Sequence, residues 1–429
     1  MKNINKILMV AIIVIFNVFL YNLADGQFSL PLVYLSYSMP FLYGFFLIKN
    51  KFALSRIDLL FIIQMVLMFS FAFLHTDTFR PSTVFYSCLF IFTFLYYKQI
   101  VLQKSLSAKS LMKLLEIIMY AYAIIMFIQQ MQVYIFHTAA LNAAPFQTSL
   151  QYLKNGLKFN SLAIEASNVP LIELLLMNLY LTLDEHLHGQ TINIKKSINN
   201  NWKLWFCFGY TIISTLSLTS VFIIFIFLIR YIKIKIRSTM IVLFATGLFF
   251  IAFKFSFPTI TDRFISVINT LFSFNSYTII DNDASSAARL FPFFEYFKTF
   301  SITDINTWIG HGNDTFLRHI NIVMFGDPDM KQGLGNICSF LYDYGLIVGM
   351  LFFYELKLIL QCKVFSYEVF LYIFCFSILD INHFLLWDFI MLMFTSKQYS
   401  KFLDAKMIHV KLKKNMKCKN PERSVLQVN

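Results

Sequence analysis

The stretch SSAARLFPFFEYFKTFSITDINTWIGHGNDTFLRH, residues 285–319, concentrates side chains able to do chemistry. Arg289 and Arg318 each bring five N–H donors and a permanent charge, a donor set that matches diphosphate oxygens. His311 and His319 can take up or release a proton near neutral pH. His311 stands between Gly310 and Gly312, and glycines permit a sharp turn or a close backbone approach to a ligand. Each feature also has a plainer reading: a snorkelling arginine on lipid phosphate, an ordinary turn, an idle loop histidine. Trp308 suits an interfacial anchor as well as a stacking platform for a sugar.

A second constellation lies upstream in LKNGLKFNSLAIEASNVPLIELLL, residues 153–176. Lys154 and Lys158 precede Glu165 and Asn168, and Lys158 is a third candidate anion contact. Glu165 is a candidate general base. Its spacing of three from Asn168 predicts a shared helix face, with Pro170 breaking or kinking that helix just below. A solvated helix top is the plain alternative. Glu173 is predicted deeper in the apolar run, where a carboxylate is costly without a role or a partner. Farther on, Asn336, Tyr342 and Asp343 head one apolar segment, and Asp380 and His383 end another. These outer-end polar residues could converge with the loops into one pocket.

The elements that must position them are apolar. The chain has 429 residues, 58% hydrophobic and 14% charged, with 52 Phe. A soluble core cannot hide that much apolar surface. Runs of about 17–25 apolar residues have the length that spans a bilayer. The predicted fold is all-α, a single polytopic membrane domain over residues 1–429 with about twelve transmembrane helices: 7–21, 29–48, 57–74, 82–97, 114–136, 162–183, 203–217, 219–230, 239–257, 336–356, 366–382 and 384–396. The N-terminal run lacks a small-x-small cleavage site, so it reads as an uncleaved first span.

Charge sets the expected orientation, because Lys and Arg translocate poorly. A break at LSLTS, making 203–217 and 219–230 two short spans, keeps RYIKIKIR inside. With that break the inside segments hold 27 of the 36 Lys and Arg residues, and both termini are cytoplasmic. The basic tail 397–429 anchors to anionic headgroups rather than to nucleic acid, despite the net charge of +13. Two outer loops remain, about 137–161 and 258–335. No internal repeat of the kind found in many secondary transporters is visible.

In the longer loop DASSAARLFPFFEYFKTF predicts a short helix capped by Asp283 or Ser285, with Pro292 near its start. Its apolar side would carry Leu290, Phe293, Phe294 and Phe297, with Glu295 and Lys298 opposite, so that it lies in the plane of the lipid headgroups. The six cysteines form no CxxC or Cys/His pairing, and no acidic cluster reads as a metal site.

Four segments in this order resemble one family: FNSLAIEAS, the LSLTS break, SSAARL with WIGHG in the large outer loop, and GNICSFLYDYGLIVG opening the next span. Together they resemble the O-antigen polymerase (Wzy) and O-antigen ligase superfamily of bacterial membrane proteins, over nearly the whole chain. Ligases carry a His before the Asn of the last segment; Gly335 stands there, which favours the polymerase branch.

The resemblance implies a membrane-embedded glycosyltransferase of the plasma membrane. It would join undecaprenyl-diphosphate-linked oligosaccharide repeats at the outer face, toward O-antigen or capsule, beside membrane lipids and with a chain-length regulator membrane protein as a candidate partner. The donor is already activated, so no cofactor, nucleotide or metal is required in principle. Arg289, Arg318 and Lys158 would stabilise the diphosphate. Glu165, with His311 behind it, would act as base, and Asn168, Gly310, Gly312 and Asn336 would contact substrate. The alternatives are a ligase and a lipid-linked oligosaccharide flippase.

Overall fold

The computed structural model describes residues 2–19, 30–51, 53–137, 151–153, 156–188, 194–215, 217–230, 284–327, 336–361 and 367–419. The expected span 239–257 lies outside them. The described chain is helical apart from one small ribbon. In order it forms α1 (Lys2–Asn17), α2 (Leu30–Lys49), α3 (Arg56–Leu74), α4 (Pro81–Leu102) and α5 (Ala108–Tyr134). The ribbon β1 (Gln151–Leu153) and β2 (Gly156–Lys158) follows, antiparallel, with Tyr152 opposite Leu157. Then come α6 (Val169–His188), α7 (Ile194–Asn200), α8 (Trp202–Ser214) and α9 (Leu218–Ile229). The last group is α10 (Ala284–Thr299), α11 (Ile305–Ile309), α12 (Thr315–Phe325), α13 (Ile337–Leu360), α14 (Tyr367–Ile378) and α15 (Phe384–Lys419).

Five of these helices, α2 to α5 and α13, are long and apolar enough to cross a membrane, and α1 and α14 are shorter apolar helices. The chain is a multi-pass membrane protein. Its helices sort by burial. Residues 169–183 of α6, much of α4 and the first three turns of α15 are buried on nearly every side, as expected of helices apolar all round. Around them α2, α3 and α5 turn large apolar side chains outward, among them Phe41, Phe45, Val66, Phe73, Ile124 and Phe127. A lipid solvent makes such a belt stable.

Local chemistry sets the corners. Ser55 caps α3 in a reciprocal capping box with Asp58. Asp58 in turn receives the Lys98 ammonium at 2.5 Å, a pair buried between α3 and α4. Ser107 caps α5, accepting from the Ser110 amide. The break at LSLTS is real: α8 and α9 are separate helices, and Phe208 packs on Phe227 with ring centroids 5.3 Å apart. Nineteen residues of straight helix would extend about 28 Å, so the chain reverses there. Arg230, just past α9, is pinned by the Asn178 side chain, by Thr182 at 3.2 Å and by Glu185 at 3.1 Å.

Three expectations need correction. The helix carrying Glu173 begins at Val169, so Glu165 and Asn168 lie in the turns before it and share no helix face. Pro170 is its second residue, where the missing N–H is free of any intrahelical role, and it kinks nothing. The loop helix α10 does form, but Pro292 sits mid-helix, and Glu295, expected on the polar side, is on the face packed against the protein. Phe291, Glu295 and Tyr296 are buried, whereas Phe297 is 71% exposed. The burial of Glu295 follows from packing: α10 lies against α12 and α13, and Glu295 is held between Lys298 at 2.5 Å and His319 at 3.6 Å.

Candidate functional site

WIGHGND is a clasp. Asp304 caps α11 through the Asn306 amide, and α11 ends at Gly310, where φ is 92° and ψ 167°. Within α13, Gly345 leaves the helix with φ 79° and ψ 169°. Both conformations belong essentially to glycine. The break removes the helical donors for the carbonyls just before it, and the loop supplies substitutes. The His311 amide donates to the Tyr342 carbonyl at 3.0 Å and the Gly312 amide to the Asp343 carbonyl at 3.2 Å. No side chain fits between the two strands of backbone: a Cβ on Gly310 would lie 2.2 Å from the Asp343 carbonyl oxygen.

Asp343 then organises the next helix. Its carboxylate accepts from the Phe316 amide and the Thr315 hydroxyl, each at 3.0 Å, and from the Asp314 amide at 2.9 Å. It thus caps α12 from a different helix, while Asp314 in its left-handed conformation gives no side-chain cap. The same loop reaches the α3–α4 corner. Asn313 exchanges two hydrogen bonds with the Arg80 backbone, and Asp314 accepts from Thr83 at 2.8 Å with the Arg80 guanidinium 3.7 Å away. Asp314, Asp343 and Asp380 lie within electrostatic range of one another. Among the described residues no group of His, Cys, Asp and Glu is arranged to hold a metal ion.

His311 projects from the clasp. Its ring stacks on Tyr342 at 3.9 Å and 10°. Nδ1 is 3.2 Å from the Tyr342 carbonyl oxygen; a carbonyl only accepts, so Nδ1 carries the proton and Nε2 keeps its lone pair. The Asp304 carboxylate is 3.8 Å from Nε2. Burial pushes the His311 pKa below its usual value, against the raising effects of the Tyr342 bond and Asp304. Burial thus favours the neutral form of the imidazole. The ring faces a small cleft lined by Tyr296, Thr299, Phe300, Thr307, Leu341 and Tyr342.

The other expected residues fall in different places. Arg318, on the first turn of α12, is half-buried, and its Nε makes no hydrogen bond. Arg289 is in α10, but its side chain lies outside what the structure describes, as does that of Lys158 in β2. Lys154 lies outside the described residues. Asn336 is the N-cap of α13, accepting from the Cys338 amide in a capping box with Ser339. Glu165 is exposed and accepts from the Ser167 hydroxyl at 3.0 Å. Among the described residues no hydrogen bond or ion pair links Glu165 or Asn168 to the His311 clasp. Glu173 is fully buried with neither carboxylate oxygen hydrogen-bonded.

Sequence reasoning missed a set of buried polar contacts joining α5, α1 and α15. Residues 159–163 are buried against α5, where the Ser161 amide donates to Gln129 at 3.0 Å and the Ser161 hydroxyl to the Tyr122 carbonyl at 2.7 Å. The Tyr122 hydroxyl reaches the Asn17 carbonyl at 2.6 Å, and the Asn17 amide reaches Asp388 at 2.9 Å. The available signal was Asn17 and Asp388 standing alone inside apolar runs. Neither a family model, nor a curated protein, nor a solved structure matches the chain.

Proposed function

We propose that the chain is a glycan polymerase of the bacterial plasma membrane, with twelve spans, cytoplasmic termini and the α10–α12 layer on the outer face. The observation that carries this reading is the seat of His311. A neutral imidazole is fixed by stacking and by one backbone bond, beside an aromatic cleft, in the segment whose motifs resemble the polymerase family. Aromatic faces suit the apolar faces of sugar rings, and a fixed neutral base suits an attacking hydroxyl.

In the proposed reaction the acceptor hydroxyl of one lipid-linked repeat attacks the anomeric carbon of another. The bond from that carbon to undecaprenyl diphosphate breaks, and the hydroxyl proton passes to His311 Nε2. Arg289, Arg318 and Lys158 meet the charge released on the diphosphate. Glu165 is the rival base, acting from the segment before α6, and Asn168, Gly310, Gly312 and Asn336 shape the substrate path.

The test is glycan length. Deleting the gene should leave single repeat units on the surface lipid, because ligation survives when polymerisation stops. Complementation with Arg289→Ala should fail at normal membrane abundance, with Arg289→Lys partly restoring chains, since Lys keeps the charge and loses the fork. Loss of every repeat unit on deletion would instead mark a ligase or a flippase.

A further inference from the structure

The α10–α11 corner exposes apolar side chains outside the membrane-spanning helices themselves. Phe297 is 71% exposed, Ile302 66%, Ile305 68% and Trp308 37%. The Trp308 indole N–H is already satisfied, donating to the Ile302 carbonyl at 2.9 Å. The corner is therefore a fixed edge of rings and branched chains with its one buried-type donor used internally. The neighbouring Lys298 ammonium is drawn to Glu295.

Its depth follows from two contacts. The Trp308 carbonyl oxygen is 2.3 Å from where a side chain on Gly345 would start, so Trp308 sits at the level of the α13 break. Ile347 and Met350, on the next turns of α13, are 38% and 54% exposed and face outward. They lie about 3 Å and about 8 Å farther along the helix axis. On the other side, a side chain on Gly312 would start 3.0 Å from the His75 Cβ. His75 directly follows Phe73 and Leu74, the outward-facing end of α3, which are 65% and 64% exposed. The corner thus adjoins the lipid-facing belt through both α3 and α13, within about a helical turn.

We infer that Phe297, Ile302, Ile305 and Trp308 are seated in the headgroup region of the bilayer, making the α10–α12 layer a membrane-bound layer. The occupant of this apolar edge is lipid, because the edge continues a surface that lipid already covers and carries the aromatic and aliphatic residues that favour that depth. His311, three residues beyond Trp308, then works at the depth where lipid headgroups lie. The inference is independent of the polymerase reading and is tested without any activity.

The experiment uses the full-length chain reconstituted in phosphatidylcholine vesicles. Subtracting the fluorescence of Trp308→Phe from that of the wild type isolates the Trp308 emission. In vesicles of lipid brominated near the top of the acyl chains this emission should be strongly quenched, and aqueous iodide should leave it unchanged. A second reporter, Ile305→Trp in the Trp308→Phe background, should behave the same way, which guards against a fold change in the single variant. Quenching by iodide with no effect of bromolipid would overturn the inference, as a water-suspended layer. Protection from both quenchers would overturn it too, because protein would then cover the edge.

Discussion

Gly310 and Gly345 meet backbone to backbone: a side chain on Gly345 would begin 2.4 Å from the Gly310 nitrogen. Both residues hold backbone conformations essentially closed to other residues. Gly345→Ala and Gly310→Ala should each cost about 3 kcal/mol or more, from strain and from the forced parting of the clasp. Thermal unfolding in detergent measures this, with Gly209→Ala as the control. A side chain at Gly209 meets nothing within 4 Å, and that helix position should tolerate Ala or gain slightly. Equal stability of all three variants would refute the tight seam.

Asp343→Ala should loosen α12 while leaving the spans folded. The change strips the acceptor from two amides and a hydroxyl, about 1–3 kcal/mol for groups left unsatisfied. Hydrogen exchange should speed up at Asp314 and Phe316 first. Asp343→Asn, which keeps one acceptor oxygen, should lie between wild type and Ala.

Arg230→Ala should lower the melting temperature strongly, by the equivalent of about 3 kcal/mol, because Glu185 and Asn178 lose a part-buried partner. Arg230→Lys should recover part of it, one ammonium being unable to reach all the partners at once. A neutral Ala variant would show that this junction carries no weight.

Glu173 is buried with both carboxylate oxygens unbonded, so an ionised form there has nothing to offset its desolvation. Glu173→Gln should keep or raise thermal stability, and Glu173→Leu should raise it. A marked loss in either would point to a partner the carboxylate needs.

His311 gives a pH signature with a definite sign. Burial lowers its folded pKa below the model-compound value of 6.5. Between the two values the unfolded chain binds more protons, so stability rises with pH through that window. Full stability is present above about 6.5 and is lost as the pH falls toward the folded pKa. His311→Gln should flatten this dependence between about pH 5 and 7, read from melting temperatures across that range, which brackets the ordinary His value of about 6.5. An unchanged slope in the variant would assign the effect to another group.

Much of the scaffold was legible in the residues. Apolar runs gave the helices, LSLTS gave the reversal between α8 and α9, and the caps at Ser55 and Ser107 follow from residue type alone. What was not legible depends on distant partners. The face that α10 packs against protein is set by α12 and α13, so periodicity could not show that the side carrying Glu295 is the buried one. Asn336 and Asp343 read as site residues, and their geometry also makes each a helix cap, one local and one supplied across the fold. His311 was found through its glycines, yet its tautomer depends on the Tyr342 carbonyl, thirty-one positions away.

The seam between WIGHG and the broken α13 is made of main chain: two amides, two carbonyls and paired glycines. The Asp343 carboxylate and the His311–Tyr342 stack reinforce it, whereas among the described residues the side chains of Tyr296, Thr299, Phe300 and Leu341 make no hydrogen bond to it. Tyr296, Thr299, Phe300 and Leu341 can therefore be exchanged without loosening the platform that aims His311. Such a division lets the cleft drift to suit new ligands while its floor stays the same, and confines intolerance to a few glycines.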